Sequence, residues 1–218
     1  ESLVKAFIRA IPAAFRYIDI MLNHRNFTTL PGMNMVQRAN YTLALDHPYE
    51  ELYAQYRENT RRNMKKALQA GCQVQKGFDP ETVIRLAKAQ TGVYGPASMD
   101  NLERFRKLYG YLHARQQATT YGISLGNEMV SSCVFFFARD RAYYILVGNH
   151  PNGKTIGASH LLIDAFIKDH AGKKMILDFE GSDIRNLAFF YSSYGAKEEI
   201  YPALKINRLP FYLRWLKK

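Results

Sequence analysis

The chain has 218 residues, 47% of them hydrophobic and 22% charged, enough to bury a sizeable core and ordinary for a globular protein. Thirty Lys and Arg stand against nineteen Asp and Glu, and the formal charge of +11 favours anionic partners: nucleic acid, a cofactor pyrophosphate or an anionic membrane surface. The longest apolar run, Val134-Phe135-Phe136-Phe137-Ala138, is strand-sized and far below the roughly 18–20 residues that cross a bilayer, so no transmembrane segment is expected.

In chain order, residues 2–15 read as a helix broken at Pro12, and Lys5 and Arg9 interrupt the apolar stretch that a secretion signal would need. Residues 16–21 alternate as a strand, 23–34 form a loop around Pro31-Gly32, and 41–45 form a short strand. Pro48 suits a first helical turn and opens one helix over about 49–70, capped by Gly71. Along it Arg57, Arg61 and Lys65 recur at i, i+4 and i+8 on one face, which Arg62 and Lys66 widen. Like charges repel there, so the face reads either as a solvated cationic surface or as the seat of an anion.

A strand at 72–76 follows, then helices over 80–91 and 99–115, separated by a Gly- and Pro-rich loop that carries Tyr94. Leu102, Phe105, Leu108, Tyr109 and Leu112 give the second helix its core stripe. The period then changes to two. Strands at 119–125, 129–138 and 142–147, joined by turns at Gly126-Asn127-Glu128 and Arg139-Asp140-Arg141, form an antiparallel meander. After a loop at 148–153 come a helix over 155–170, a strand at 175–179 and a helix over 184–194. Strands at 196–201 and 203–207, split by Pro202, precede a basic C-terminal helix. Cys72 and Cys133 lie in strands without CxxC partners and read as buried thiols, which suits a reducing cytoplasm. The six histidines show no metal-ligand spacing, so no metal is expected.

The segment Leu177-Asp178-Phe179-Glu180-Gly181-Ser182 followed by Asn186–Ala196 reads as a buried strand, a sharp turn and an amphipathic helix ending at Gly195. It resembles the closing unit of the GNAT acyltransferase fold, whose helix, written roughly F-Y-x-x-x-G-F/A, lies beside the thiol end of acyl-CoA. The order of three antiparallel strands, loop, helix, strand, helix and strand is that of a GNAT core. Arg-x-x-x-Arg-Arg-Asn-x-Lys-Lys-Ala-x-x-x-Gly from Arg57, with Asp178-Phe179-Glu180-Gly181, resembles the Fem-type branch. The resemblance implies an α/β (α+β) GNAT fold, a mixed and mostly antiparallel sheet flanked by helices. Residues 41–218 would be the GNAT-like domain, and 1–40 a lead-in strand and helix or the remnant of a preceding half.

It also implies transfer of an acetyl or longer acyl group from acyl-CoA to an amine or hydroxyl. Tyr191 would protonate the leaving thiolate, and Glu180 would act as base or substrate anchor. A backbone N–H near Leu146, Val147 or Gly148 would hold the oxyanion. The family's phosphate loop, roughly Q/R-x-x-G-x-G/A, falls on Lys154-Thr155-Ile156-Gly157-Ala158-Ser159, with Lys and Ser at its ends. A helix N-terminus there would cradle an anion. Each of these residues has a plainer reading: Tyr191 in the core, Glu180 capping the next helix, the loop a simple strand–helix turn. Asn186 is two positions off the family's Asn spacing. Arg57, Arg61, Arg62, Lys65 and Tyr94 would meet the acceptor, a small molecule or an anionic lipid-linked one. Two alternatives stand: a Fem-type peptidyltransferase using aminoacyl-tRNA on a cell-wall precursor, and a non-catalytic anion- or RNA-binding module with a vestigial cleft. The lack of room for a helical hairpin insertion favours acyl-CoA. The expected compartment is the cytoplasm, including the inner membrane surface.

Overall fold

In chain order the elements are α1 (Leu3–Ala10), β1 (Tyr17–Met21), β2 (Asn34–Ala44), α2 (Tyr49–Ala54), α3 (Glu58–Gln69), β3 (Cys72–Lys76), α4 (Pro80–Thr91), α5 (Pro96–His113), β4 (Ala118–Leu125), β5 (Glu128–Ala138), β6 (Arg141–Asn149), α6 (Pro151–Ile156), α7 (Ala158–His170), β7 (Ile176–Asp178), α8 (Arg185–Ser192) and β8 (Lys197–Asn207), with a final 3-10 helix at Phe211–Lys217. The computed structural model describes residues 3–27, 34–91 and 96–217. The strands form one mixed sheet in the order β1-β8-β2-β7-β6-β5-β4-β3, in which only β6 and β7 are parallel. The meander expected over 119–147 forms the β6-β5-β4 run beside the β3 edge, and β1 and β2 lie in the other half, so residues on both sides of position 40 share the sheet.

One face of the sheet carries the main core. Helix α7 is apolar almost all round, as a helix buried between a sheet and other helices must be. Leu161, Leu162, Ile163, Phe166 and Ile167 are all buried there. Phe166 stacks on Phe135 of β5 with ring centroids 3.7 Å apart, and Tyr194 and Phe179 extend the cluster. The charged residue in the buried stretch, Asp164, accepts a hydrogen bond from the Tyr49 hydroxyl at 2.8 Å and so ties α2 to α7. On the opposite face α4 and α5 cover the meander through Val83, Tyr109, Phe105 and Phe136. The thiols of Cys72 and Cys133 are free and buried.

The structure corrects four local expectations. The single helix over 49–70 is two, because Arg57 is extended (φ −64°, ψ 150°) as the N-cap of α3. Its N–H goes to the Ser193 carbonyl at 2.9 Å, and the Thr60 hydroxyl donates to Ser193 Oγ at 2.7 Å. Contacts with the end of α8 thus take groups that a continuous helix would use. Strand β2 is longer than 41–45, since β8 pairs with it from Asn34 to Thr42. Strand β8 runs unbroken through Pro202. The Pro202 carbonyl faces Leu22 (2.8 Å), so its missing N–H points to the same side, just past the last β1 pair at Met21. Finally, the loop expected at 148–153 is the end of β6 and a short helix, α6, and the long helix kinks at Gly157 (φ 83°).

Truncating the stacked centre, Phe166→Ala, should cost about 3–5 kcal/mol, as large aromatic deletions in close-packed cores do. Urea unfolding should show a lowered midpoint with an unchanged m-value.

Candidate active site

Three residue pairs join β6 to β7: Arg141↔Ile176, Ala142↔Leu177 and Tyr143↔Asp178. Beyond Asp178 the chain swings away, and the Phe179 and Ser182 N–H groups donate to the carbonyls of Tyr41 and Ala39 on β2. Strand β6 continues from Tyr144 to Asn149 with no strand beside it on that side among the described residues. The result is a V-shaped opening through the sheet. Two consecutive left-handed residues, Glu180 (φ 59°) and Gly181 (φ 86°), make the swing. Only Gly adopts this conformation without strain, and side-chain acceptors hold it. Asp178 Oδ1 accepts the Glu180 N–H at 2.9 Å, and Asn40 Oδ1 accepts those of Gly181 (2.6 Å) and Tyr41 (2.8 Å).

Beneath the closed end lies a charged network. Arg141 donates to both carboxylate oxygens of Glu199, at 2.8 and 3.0 Å, and to Asp178 Oδ2 at 2.6 Å. Asn40 Nδ2 donates to the other Asp178 oxygen at 2.9 Å. Burial pushes the Glu199 carboxyl up, but the hydrogen bonds from Arg141 outweigh it and hold its pKa below the ordinary value. These groups floor a pocket of about 210 Å³ that Tyr143 and Glu180 also line. Glu180 opens to solvent at its surface, while the pocket walls and then Asp178 raise its pKa. Solvent contact keeps that shift small in energy. Its carboxylate makes no hydrogen bond or ion pair among the described residues.

Tyr191 occupies the other face. It is buried, its ring stacks on Phe179 at 4.6 Å and meets Tyr144 edge-on at 6.4 Å. Burial pushes its hydroxyl up to about 12. That hydroxyl has no hydrogen-bond partner among the described residues. The two residues singled out for acid–base work therefore flank Phe179 on opposite faces of the sheet at the mouth of the V. Across from them β6 carries a bulge. Cys133 pairs with Val147 and Val134 with Ile145, leaving Leu146 (φ 42°) outside the ladder. Val147 is half-buried against the core, and a Cβ on Gly148 would lie 2.5 Å from the Ala87 backbone nitrogen, so Gly148 lets α4 close on β6.

The expected phosphate loop is more crowded than the sequence suggests. Lys154 and Thr155 are exposed, Ile156 is half-buried and Ala158 is buried. Gly157 faces α3: a Cβ there would lie 2.5 Å from the Asn63 carbonyl oxygen. Lys66 Nζ also donates to the Thr155 carbonyl at 2.9 Å. Ser159 donates to Asn149 Oδ1 at 2.6 Å, which Ser131 shares at 2.7 Å. Lys154 and Thr155 remain open to solvent at this turn, whereas the Gly157 side is filled by protein.

The basic residues are not gathered at the V. The Arg57 guanidinium lies over the Phe189 ring at 4.6 Å. Arg61 donates to the Ala54 carbonyl at 2.7 Å and lies over Tyr53, and Arg62 donates to Asn59 at 2.8 Å. Arg61 and Lys65 line a separate groove of about 550 Å³ between α3 and α7, walled by Tyr49, Tyr53, Met64 and Leu161. Tyr94 lies outside the described residues. The sequence reading missed Asn40, Arg141, Tyr143 and Glu199, which meet only through long-range pairing. Their one local signal is Gly181 after Glu180. Among the described residues no cluster of His, Cys, Asp and Glu can hold a metal, and no helix is long and apolar enough to cross a membrane.

Residues 54–183 match the profile of the acetyltransferase (GNAT) domain, and the chain belongs to that family of acyltransferases. The fold is also that of the FemX crystal structure, with a TM-score of 0.62, 14% identity, 94% of this chain and 69% of that one covered. A functionally unknown conserved protein from Staphylococcus epidermidis (0.56, 10%, 90% and 74%) is similar. So is a tandem GNAT protein from the clavulanic acid biosynthesis pathway (0.55, 10%, 89% and 65%). No curated protein matches the sequence.

Replacing Arg141 by Met leaves two carboxylates without their cation. The cost should be about 3 kcal/mol, the lower end for a buried pair because Glu199 keeps some solvent contact. A folded pKa held below the unfolded one stabilises at pH above the ordinary value of 4.5 and loses that stabilisation as pH falls. The gap between wild type and R141M in chemical denaturation should therefore narrow below about pH 4.5.

Proposed function

We propose that the protein transfers an acyl group from acyl-CoA to an amine or hydroxyl at the opening between β6 and β7. The observation that carries this reading is the V itself, with a carboxylate on one face and a phenol on the other that have no partner among the described residues. A donor entering the V brings an activated carbonyl beside the backbone released by the Leu146 bulge, which is suited to hold the oxyanion. Glu180, raised toward the working range, takes the proton of an acceptor lying in the Arg141 pocket. Tyr191, whose pKa near 12 keeps it protonated at neutral pH, gives its proton to the departing thiolate. Val147, Gly148 and residues 154–159 would flank the donor, the diphosphate resting on Lys154, Thr155 and the first N–H groups of α7. Free buried thiols fit a cytoplasmic setting. Residues 1–40 would serve as a lead-in whose strand completes the sheet of the domain.

A second reading has its own support. Helix α3 fills the Gly157 side and carries Arg61, Arg62 and Lys65 behind its N-cap Arg57, so a Fem-type donor, aminoacyl-tRNA, would meet a basic surface instead of a diphosphate cradle. Thermal unfolding with acetyl-CoA, a long-chain acyl-CoA and free CoA separates the two. Under the first reading the midpoint rises, by roughly 2.7 kcal/mol of stability at a hundred times the dissociation constant, and Lys154→Glu weakens the effect. No rise at millimolar ligand, with transfer from charged tRNA, would establish the second. Substitution of Gly157 is the wrong probe, since its left-handed backbone and its contact with Asn63 make any side chain a packing defect. Tyr191→Phe should lower kcat about 10²–10⁴-fold with little change in KM, the usual range for loss of a general acid.

A further inference from the structure

The pocket floored by Arg141 carries a charge opposite to that of the chain. The protein as a whole is at +11. The residues lining this pocket include three carboxylates, Asp178, Glu180 and Glu199, and one Arg or Lys, Arg141. Their net charge is negative, two units with His24 neutral and one with it protonated, since His24 lies 3.4 Å from Glu199. Arg38 reaches Tyr201 in the wall but is itself paired with Asp183, so the two cancel. Arg57, Arg61, Arg62 and Lys65 do not line the pocket. Met21 and Leu22 add apolar wall, and Tyr143 and Tyr201 add aromatic surface of the kind that attracts cations. At about 210 Å³ the space is smaller than the roughly 300–1,000 Å³ of sites for drug-sized ligands, so it suits a short chain.

Resting on the transfer reading above, we propose that this pocket takes a short aliphatic diamine as acceptor, with the reacting ammonium at Glu180 and the far one at the Asp178–Arg141–Glu199 group. An alkyl amine is an ammonium at neutral pH, and a negative cavity concentrates it. An alcohol brings no charge there, and a carboxylate or phosphate is repelled. The proton of the reacting ammonium passes to the Glu180 carboxylate, which leaves a neutral carboxyl and an amine with a free lone pair. Asp178 and Glu199 against Arg141 still hold one excess negative charge for the far ammonium. Glu199 has acceptor capacity to spare, because Arg141 fills two of the roughly four positions of an ionised carboxylate. The acceptor so defined differs from the anionic partners that the overall charge of the chain favours.

Cadaverine, aminopentanol and aminopentanoate share one chain length and differ only at the far end. Calorimetric titration without a donor should rank cadaverine first, aminopentanol about tenfold weaker and aminopentanoate weaker again by a similar factor. Raising the salt should shrink these differences. Glu180→Gln, with an unchanged circular dichroism spectrum, should weaken cadaverine about tenfold. Thiol release from acetyl-CoA with each probe is a separate readout. Cadaverine binding without thiol release keeps the diamine site and counts against the acyl-CoA reading alone. Thiol release fastest with aminopentanol or aminopentanoate keeps that reading and overturns the diamine. Equal affinity for the three probes, no cadaverine binding at millimolar concentration, or an affinity unmoved by Glu180→Gln overturns it as well.

Discussion

The Arg141 guanidinium is the point on which the opening in the sheet depends. One planar group from β6 grips Glu199 on β8 with two hydrogen bonds and Asp178 on β7 with a third, and Asp178 hands the connection to Asn40 on β2. Four strands are thereby fixed at one level of the sheet. Charge this deep is expensive to desolvate, and it is tolerated here because nearly every donor and acceptor in the group is matched. The same carboxylate and amide that accept from Arg141 and Tyr41 also accept the N–H groups of Glu180 and Gly181. The left-handed turn, and with it the bare edge of β6, follows from satisfying this network.

The opposite arm of the V is held by close approach. Gly153 lies so near β5 that a Cβ would clash with the Val130 carbonyl oxygen, and Gly148 seats α4 in the same way. Ser131 and Ser159 share the Asn149 side chain, pinning the end of β6 to both β5 and α7. Leu146 in β6 and Glu180 just after β7, both non-glycine residues at positive φ, lie on the two arms of the opening. Such residues store about 1–3 kcal/mol each, and the rigid walls on either side keep them there.

Elements with a strong period were legible in the sequence. The meander, α4, α7 and the tyrosine helix lie where alternation or an apolar stripe places them. The failures have local causes. Arg57 looks helical by spacing, but it is extended because Ser193, far along the chain, competes for its N–H. Pro202 looks like a break, but the strand beside it has already ended. At the candidate site, Glu180 and Tyr191 drew notice through Gly181 and Gly195 near them in the sequence. Arg141 and Glu199, 58 positions apart, did not, since nothing in either local pattern indicates that the two meet. Gly157 was legible as a glycine that something approaches closely, but the approaching group is the backbone of α3.

Pro202 has a second effect, on how the sheet ends. Strand β1 covers β8 only from Ala203 to Asn207, and among the described residues no strand pairs with the stretch from Lys197 to Tyr201 on that side, where the chain after β1 brings His24 to 3.4 Å from Glu199. Such edges recruit strands from other molecules. Here an incoming strand would have to pass a residue with no donor to offer and lie along a segment bearing Lys197 and Glu198, both exposed. The proline thus works as a stop that leaves β1 short: a strand arriving at this edge finds no donor at position 202 and the His24–Glu199 pair already beside it.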